Sequence, residues 1–70
     1  MGDPSPGERL RAWRESAGKT QTECAAAIGV GQPSWSEWEA GTRVPRTAHA
    51  FAIERLTKGK VPARTFAEAA

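Results

Sequence analysis

A short run of hydrogen-bonding side chains lies between two groups of basic residues. The run comprises Gln32, Ser34, Ser36 and Glu37, and it includes the apolar Pro33, whose ring carbons could contact a thymine methyl. It contains no lysine or arginine, whereas Lys19 precedes it and Arg43 and Arg46 follow it. A glutamine amide donates and accepts at once, so it can pair with the edge of a nucleobase, while basic side chains suit phosphates. These residue types favour a surface that binds a polyanion and also reads hydrogen-bonding edges.

The chain lacks the residues of a catalytic or metal centre. His49 is the only histidine, and no cysteine or carboxylate accompanies it at metal-ligand spacing. The sequence contains no set of nucleophile and base, and no glycine loop that would cradle a phosphate. We therefore expect no enzymatic activity, cofactor, metal or small-molecule ligand. The single cysteine, Cys24, cannot form an intrachain disulfide and is expected to be a buried small apolar residue.

Two short helices joined by a glycine turn are predicted to position the hydrogen-bonding run. The first begins at a capping box, Thr20-Gln21-Thr22-Glu23, in which threonine and glutamate each satisfy a free backbone N–H of the other. Its apolar residues are predicted to share one face: Cys24, Ala25, Ala27 and Ile28. Gly29 follows, where a left-handed conformation costs little only for glycine.

The second helix opens at Gly31-Gln32-Pro33, because proline is tolerated in a first turn where its N–H would have no partner. Trp35 and Trp38 are three apart and are predicted to face inward. The polar residues of the run are left outward, and Gly41 closes the helix. Residues 20–41 thus have the pattern of a helix-turn-helix that places its second helix in the DNA major groove.

The remaining chain predicts further short helices and an all-α fold. Helix 1 begins at the capping box Ser5-Pro6-Gly7-Glu8 and runs to about Ala17. Its predicted buried residues are Leu10, Trp13 and Ala17. Thr47 is predicted to cap helix 4, whose inward residues are predicted as Ala48, Phe51, Ala52 and Leu56. Residues 60–66 fit either a short helix or a strand, so the count is four to five helices.

The stretch from Thr20 to Pro45 resembles the lambda-repressor/Cro-like helix-turn-helix family of phage and bacterial regulators. The positions that carry the resemblance are Thr20-Gln21, Ala25, Gly29, Gln32, Trp35, Trp38, Glu39, Gly41, Arg43 and Pro45. It covers residues 7 to 57, and residues 52–61 are similar to the tails of small Cro-like and YdaS-type phage regulators. Cys24 stands where the family usually has leucine, and both tryptophans are bulkier than the usual aliphatic residues.

The resemblance implies a role for each part of the motif. Helix 3 would enter the major groove, with Gln32 as the main base-reading residue. The other base-reading candidates would be Pro33, Ser34, Ser36 and Glu37. Glu37 has two open interpretations, a contact with cytosine N4 or a solvent charge. The DNA backbone would be held by Lys19, Thr20, Gln21, Thr42, Arg43 and Arg46, and relatives suggest an ion pair between Arg14 and Glu39.

Length and charge place bounds on the whole protein. Seventy residues form one small domain, 1–70, with a formal net charge of +2 and no signal or membrane-spanning segment, so a cytoplasmic location is expected. The expected function is sequence-specific binding to double-stranded DNA by a repressor that dimerises on a near-palindromic operator. Val61 and Phe66, in the tail 60–70, are candidates for dimerisation, or alternatively cap the monomer core. The other hypotheses are an antitoxin and a protein-interaction module of the same fold.

Overall fold

Five short helices make up the described part of the chain, which in this computed structural model runs from residue 2 to residue 67. They are α1 (Pro6–Ser16), α2 (Gln21–Ile28), α3 (Gln32–Ala40), α4 (Thr47–Leu56) and α5 (Arg64–Ala67). Residues 2–67 contain no β-strand, and the predicted all-α fold is confirmed. None of these helices is long and apolar enough to cross a membrane. The end of the predicted tail, residues 68–70, lies outside the described residues.

The predicted capping boxes and glycine turn set the ends of the first three helices. At α2, Glu23 N donates to Thr20 Oγ1 over 3.0 Å, and Thr20 N donates to Glu23 Oε1 over 2.8 Å. Ser5 and Glu8 form the equivalent box at α1. Gly29 has φ of 80°, in the left-handed region where a side chain would be strained, and it turns the chain towards α3.

α3 lies at the centre of the packing, against both α1 and α2. Trp35 is completely buried, and its ring centroid is 5.9 Å from that of Trp38. The other apolar residues of the core are Leu10, Cys24, Ala25, Ala50, Ile53, Val61 and Phe66. Cys24 is buried as predicted, and burial raises the pKa of its thiol. The core therefore packs against one face of α3 and leaves the hydrogen-bonding run on the opposite face.

Gly7 permits a close approach of α1 to the end of α3. A Cβ added at Gly7 would lie 2.6 Å from the carbonyl oxygen of Trp38 and closer still to that of Glu39. Both atoms are backbone, so no side-chain rotation can make room. The sequence pattern assigned Gly7 only to a capping box, and its contact with α3 was not predicted.

Two predicted core residues near the first two helices are exposed. Ala17 is the C-cap of α1 and lies outside the core, because the chain turns at Gly18, where φ is 69°. Ala27 is also exposed. Cys24, Ala25 and Ile28 define the inward face of α2, and at 3.6 residues per turn Ala27 lies about 110° from its centre. The prediction for the inward face of α2 therefore wrongly included Ala27.

The predicted inward face of α4 was partly wrong, although Leu56 packs against the core as expected. The buried residues of this helix are Ala50 and Ile53, whereas Ala48 and Phe51 are exposed. Five of the first seven residues of α4 are apolar, so spacing alone did not define one stripe. Packing against α2 and α5 selected the face. Thr47 was also wrong as the cap, because the N-cap is Arg46 and no side chain caps this helix.

The tail forms a helix and completes the core of the same chain. Val61 and Phe66 are only 2% and 3% exposed. They are therefore not available to a second copy in this structure, and their assignment to a dimer interface is corrected to the alternative that they cap the monomer core. Val61 N donates to Thr57 Oγ1 over 3.0 Å, which fixes the start of the tail.

Candidate nucleic-acid interface

α3 presents a polar face on the side opposite its two buried tryptophans. Ser36 and Glu37 lie three and four positions after Pro33, and Ala40 lies four and three positions after them, so these residues form one stripe along the helix. Gln32 lies at one edge of this stripe and Ser34 at the other. Ala40 was not singled out in the sequence, although its spacing from Pro33 indicated the same face. The stripe is neutral apart from one carboxylate, as the residue types predicted.

Gln32 is held by a hydrogen bond that it donates to the neighbouring helix. Its Nε2 donates to Oε1 of Gln21 over 2.7 Å, which joins the first residue of α3 to the first residue of α2. The bond uses one of the two N–H groups of Gln32. The second N–H and the carbonyl oxygen remain for another partner, and these are the atoms with which an amide pairs bidentately to adenine.

Glu39 is the anchor behind this pair of glutamines. Its Oε1 accepts from Gln21 Nε2 over 2.9 Å and from Arg14 Nη2 over 3.1 Å. Its Oε2 accepts from Arg14 Nε over 2.6 Å and from Trp35 Nε1 over 2.5 Å. Four donors on two oxygens fill the usual lone-pair directions of a carboxylate. α1, α2 and α3 are therefore joined at one buried group.

The expected ion pair between Arg14 and Glu39 is confirmed. The two side chains are 15% and 5% exposed, so the pair is largely withdrawn from water. Burial by itself would raise the pKa of Glu39, but the hydrogen bonds from Arg14, Gln21 and Trp35 outweigh it, and the net pKa is lowered. The hydrogen bond with Glu39 raises the pKa of Arg14. Both groups are therefore charged at neutral pH.

The start of α2 carries the predicted backbone-binding residues Lys19, Thr20 and Gln21. Lys19 and Thr20 are exposed, and Gln21 is half-buried because its side chain lies between Gln32 and Glu39. One N–H of the Gln21 amide is used by Glu39, which leaves the other for a phosphate oxygen. The free backbone N–H groups of a helix start also favour an anion.

The segment between α3 and α4 carries the second basic group. Arg43 and Arg46 are exposed, and they line a shallow polar cleft of about 300 Å³ with Ser34 and His49. Arg43 Nη1 is 4.0 Å from Glu37 Oε1, a distant contact between exposed groups. Thr42, also predicted to contact the backbone, is exposed, and its hydroxyl donates to Glu37 O at the end of α3 over 3.3 Å.

His49 is a residue of this surface that the sequence did not indicate. It was considered only as a metal ligand, and as such it had no partner. In the fold its ring centroid is 5.5 Å from that of Trp38, so it borders the same cleft as both arginines. Arg43 and Arg46 make the surface beside this end of α3 positive, and His49 lies next to them.

The structure thus joins Gln21 to Gln32 and brings Ser34 together with Arg43 and Arg46, whereas Val61 and Phe66 are buried elsewhere in the core. No curated protein and no solved structure was found to match the chain. A family model described as a helix-turn-helix domain matches residues 7–68. This match covers all of α1 except Pro6 and the whole of α2 to α5, and it includes the paired helices α2 and α3. The chain therefore belongs to the helix-turn-helix family of DNA-binding domains.

Proposed function

We propose that the protein is a sequence-specific regulator of transcription that binds double-stranded DNA as a Cro-like repressor. α3 lies in the major groove, and Gln32 reads a base edge with the help of Pro33, Ser36 and Glu37. The observation that supports this proposal best is the hydrogen bond between Gln32 and Gln21, because it holds an exposed amide in a defined orientation. An exposed glutamine with only a solvent role needs no such support.

The basic residues at the two ends of the motif are proposed to hold the DNA backbone. Lys19 and Gln21 lie at the start of α2, and Arg43 and Arg46 lie beyond the end of α3. They flank the neutral stripe, so phosphates on both sides of a groove can be contacted while α3 faces the bases. Thr42 stays a weaker candidate, since its hydroxyl proton is used within the chain.

Selection of bound duplexes from a random library tests the base-reading role. We expect the wild-type protein to enrich a near-palindromic site with half-sites about 10 base pairs apart, as for a two-fold dimer. Gln32→Ala should lose about 1–3 kcal/mol of discrimination at one symmetric pair of positions, the value of a bidentate contact. Thr22→Ala, an exposed change outside the proposed contacts, is the control and should give the wild-type motif.

Either of two results would contradict this assignment. A Gln32→Ala motif identical to that of the wild type would remove Gln32 from base reading. Failure of the folded wild-type protein to enrich any motif would reject sequence-specific DNA binding, and would favour the protein-interaction hypothesis. The oligomeric state of the protein on the selected duplex, measured by sedimentation, tests the proposed dimer separately.

The salt dependence of DNA affinity tests the backbone contacts. Arg46→Gln should weaken binding to all sequences alike and reduce the log–log salt slope by about one unit per bound domain, because one phosphate contact is lost. Arg55→Gln, an exposed arginine in the last turn of α4, is the matched control and should leave the slope unchanged. Equal effects of both changes would mean that Arg46 contributes only general positive charge.

A further inference from the structure

The amide orientation of Gln32 is determined by a chain of three side chains that begins at Glu39. A glutamine amide has nearly the same shape in its two orientations, which differ only in where the oxygen and the NH2 group lie. An exposed glutamine ordinarily adopts either of these two orientations. Here Gln32 bonds to Gln21, and Gln21 bonds to Glu39. The orientation of the Gln32 amide therefore depends on whether the side chain at position 39 donates or accepts.

An ionised carboxylate can only accept hydrogen bonds. The group that Gln21 turns towards Glu39 must therefore be its NH2, which is 2.9 Å away. The oxygen of Gln21 then faces Gln32, and it can only accept. Gln32 must consequently turn its own NH2 inward, where the two atoms are 2.7 Å apart. Each orientation follows from the one before it, because every donor needs an acceptor and the ionised carboxylate of Glu39 cannot donate.

This orientation decides what Gln32 offers to a base. With its NH2 turned to Gln21, the amide presents one acceptor and one free donor, the pattern that complements adenine N6 and N7. In the opposite orientation the oxygen would accept from Gln21, and both N–H groups would be free. Two donors complement the N7 and O6 acceptors of guanine instead.

We propose that Glu39 is a specificity-determining residue, which acts through Gln21 and makes Gln32 a reader of adenine rather than guanine. The base-reading part of this inference rests on the proposed function of α3. Glu39 itself is not expected to contact a base, because its side chain is buried between α1, α2 and α3. Its four hydrogen bonds are all made within the chain. It is a positioning residue.

Glu39→Gln provides the sharpest test. Oε2 of Glu39 receives the short bonds from Arg14 Nε and Trp35 Nε1, at 2.6 and 2.5 Å, so the oxygen of the new amide will occupy that position. Its NH2 will then lie at the position of Oε1, where the bond from Arg14 Nη2 is lost and the NH2 faces Gln21. Gln21 must turn to accept from this NH2, and Gln32 must turn in its place. We expect preference at the base pair read by Gln32 to move from adenine towards guanine by roughly tenfold.

A second substitution should restore the original base preference, although the carboxylate at position 21 loses the proposed phosphate contact and lowers the affinity for all sequences. In the double variant Gln21→Glu with Glu39→Gln, the carboxylate and the amide exchange places. The carboxylate at position 21 accepts from the amide at 39 and from Gln32, so Gln32 regains the orientation that reads adenine. Recovery of the adenine preference in this variant would not arise from a general loss of stability. Thermal melts of each variant establish that it is folded at the assay temperature.

The outcomes separate this inference from the proposed function. If the wild type enriches a motif and folded Glu39→Gln enriches the same one with adenine retained, the inference is wrong while the proposed function stands. If Glu39→Gln does not fold, Gln21→Leu replaces it, since it keeps the ion pair of Arg14 and Glu39. That variant should lose the discrimination between adenine and guanine, and unchanged discrimination would overturn the inference.

A measurement without DNA tests the chain of bonds if no motif is enriched. The chain contains two glutamines and no asparagine, so the side-chain amide signals in a nitrogen–proton correlation spectrum of the full chain come from Gln21 and Gln32. We expect Glu39→Gln to shift the amide signals of Gln32, although residue 39 does not bond to it directly. Unchanged Gln32 signals in the folded variant would show that the orientation is not transmitted, and would reject the inference.

Discussion

Glu39→Ala is expected to lower the free energy of unfolding by about 3–5 kcal/mol, the cost of leaving one partner of a buried ion pair alone. The substitution removes the acceptor of four hydrogen bonds at once, from Arg14, Gln21 and Trp35. The Arg14 side chain is only 15% exposed, so water replaces the lost carboxylate poorly. Urea or thermal unfolding measures the effect, and for a domain of this size the melting temperature should fall by more than about 10 °C.

Glu15→Ala is the matched control for this substitution. Glu15 pairs with Arg11 on the same helix, but these side chains are 56% and 63% exposed. A solvated pair of this kind is worth about 0.5 kcal/mol or less. If Glu39→Ala and Glu15→Ala lowered the free energy of unfolding equally, the buried pair would contribute no more than a surface pair. The conclusion that Glu39 holds three helices together would then be wrong.

The pH dependence of stability gives an independent check on the same group. The pKa of Glu39 is lower in the folded chain than its ordinary value of 4.5. A carboxyl of this kind contributes stability above its unfolded pKa and loses it as the pH falls through the folded pKa. The difference in melting temperature between the wild type and Glu39→Gln should therefore be largest near neutral pH and shrink below pH 4.5. A constant difference would contradict the assigned charge.

Gly7→Ala is expected to destabilise the protein by about 3 kcal/mol, at the upper end of the range for overpacking. The added Cβ would meet the carbonyl oxygens of Trp38 and Glu39, and α1 would have to move away from α3. Because Gly7 lies in the first turn of a helix, alanine would by propensity alone be stabilising by up to about 1 kcal/mol. The sign of the measured change therefore distinguishes close packing from propensity.

Gly31→Ala is the control for Gly7→Ala. Gly31 has φ of −80°, and a Cβ there would meet only Pro33 Cδ at 3.5 Å, an ordinary contact. Its substitution should cost less than about 1 kcal/mol, the small preference for glycine over alanine at an N-cap. Equal melting temperatures for the two variants would mean that α1 and α3 can separate at little cost. In that case the approach at Gly7 would not hold Glu39 in place.

The elements with local signals were predictable because their causes are local. The capping boxes at Ser5 and Thr20 and the left-handed glycines at 29 and 41 involve residues within one helical turn. Trp35 and Trp38 were correctly placed inward because α3 has no other large apolar side chain. In α4 apolar residues occupy several sides, and there the same reasoning wrongly placed Ala48 and Phe51 inward.

By itself, the sequence determined the all-α fold, the paired helices around Gly29, and the neutral character of the helix that follows. These properties depend on hydrogen bonds and spacing between residues that are close in the chain. Only the tertiary structure decided that Phe66 is buried, that Gly7 touches α3, and that Glu39, Gln21 and Gln32 form one connected chain. Gln21 is 18 positions from Glu39 and 11 positions from Gln32 along the chain, and these side chains meet because three helices pack together. No pattern along a single helix predicts such contacts.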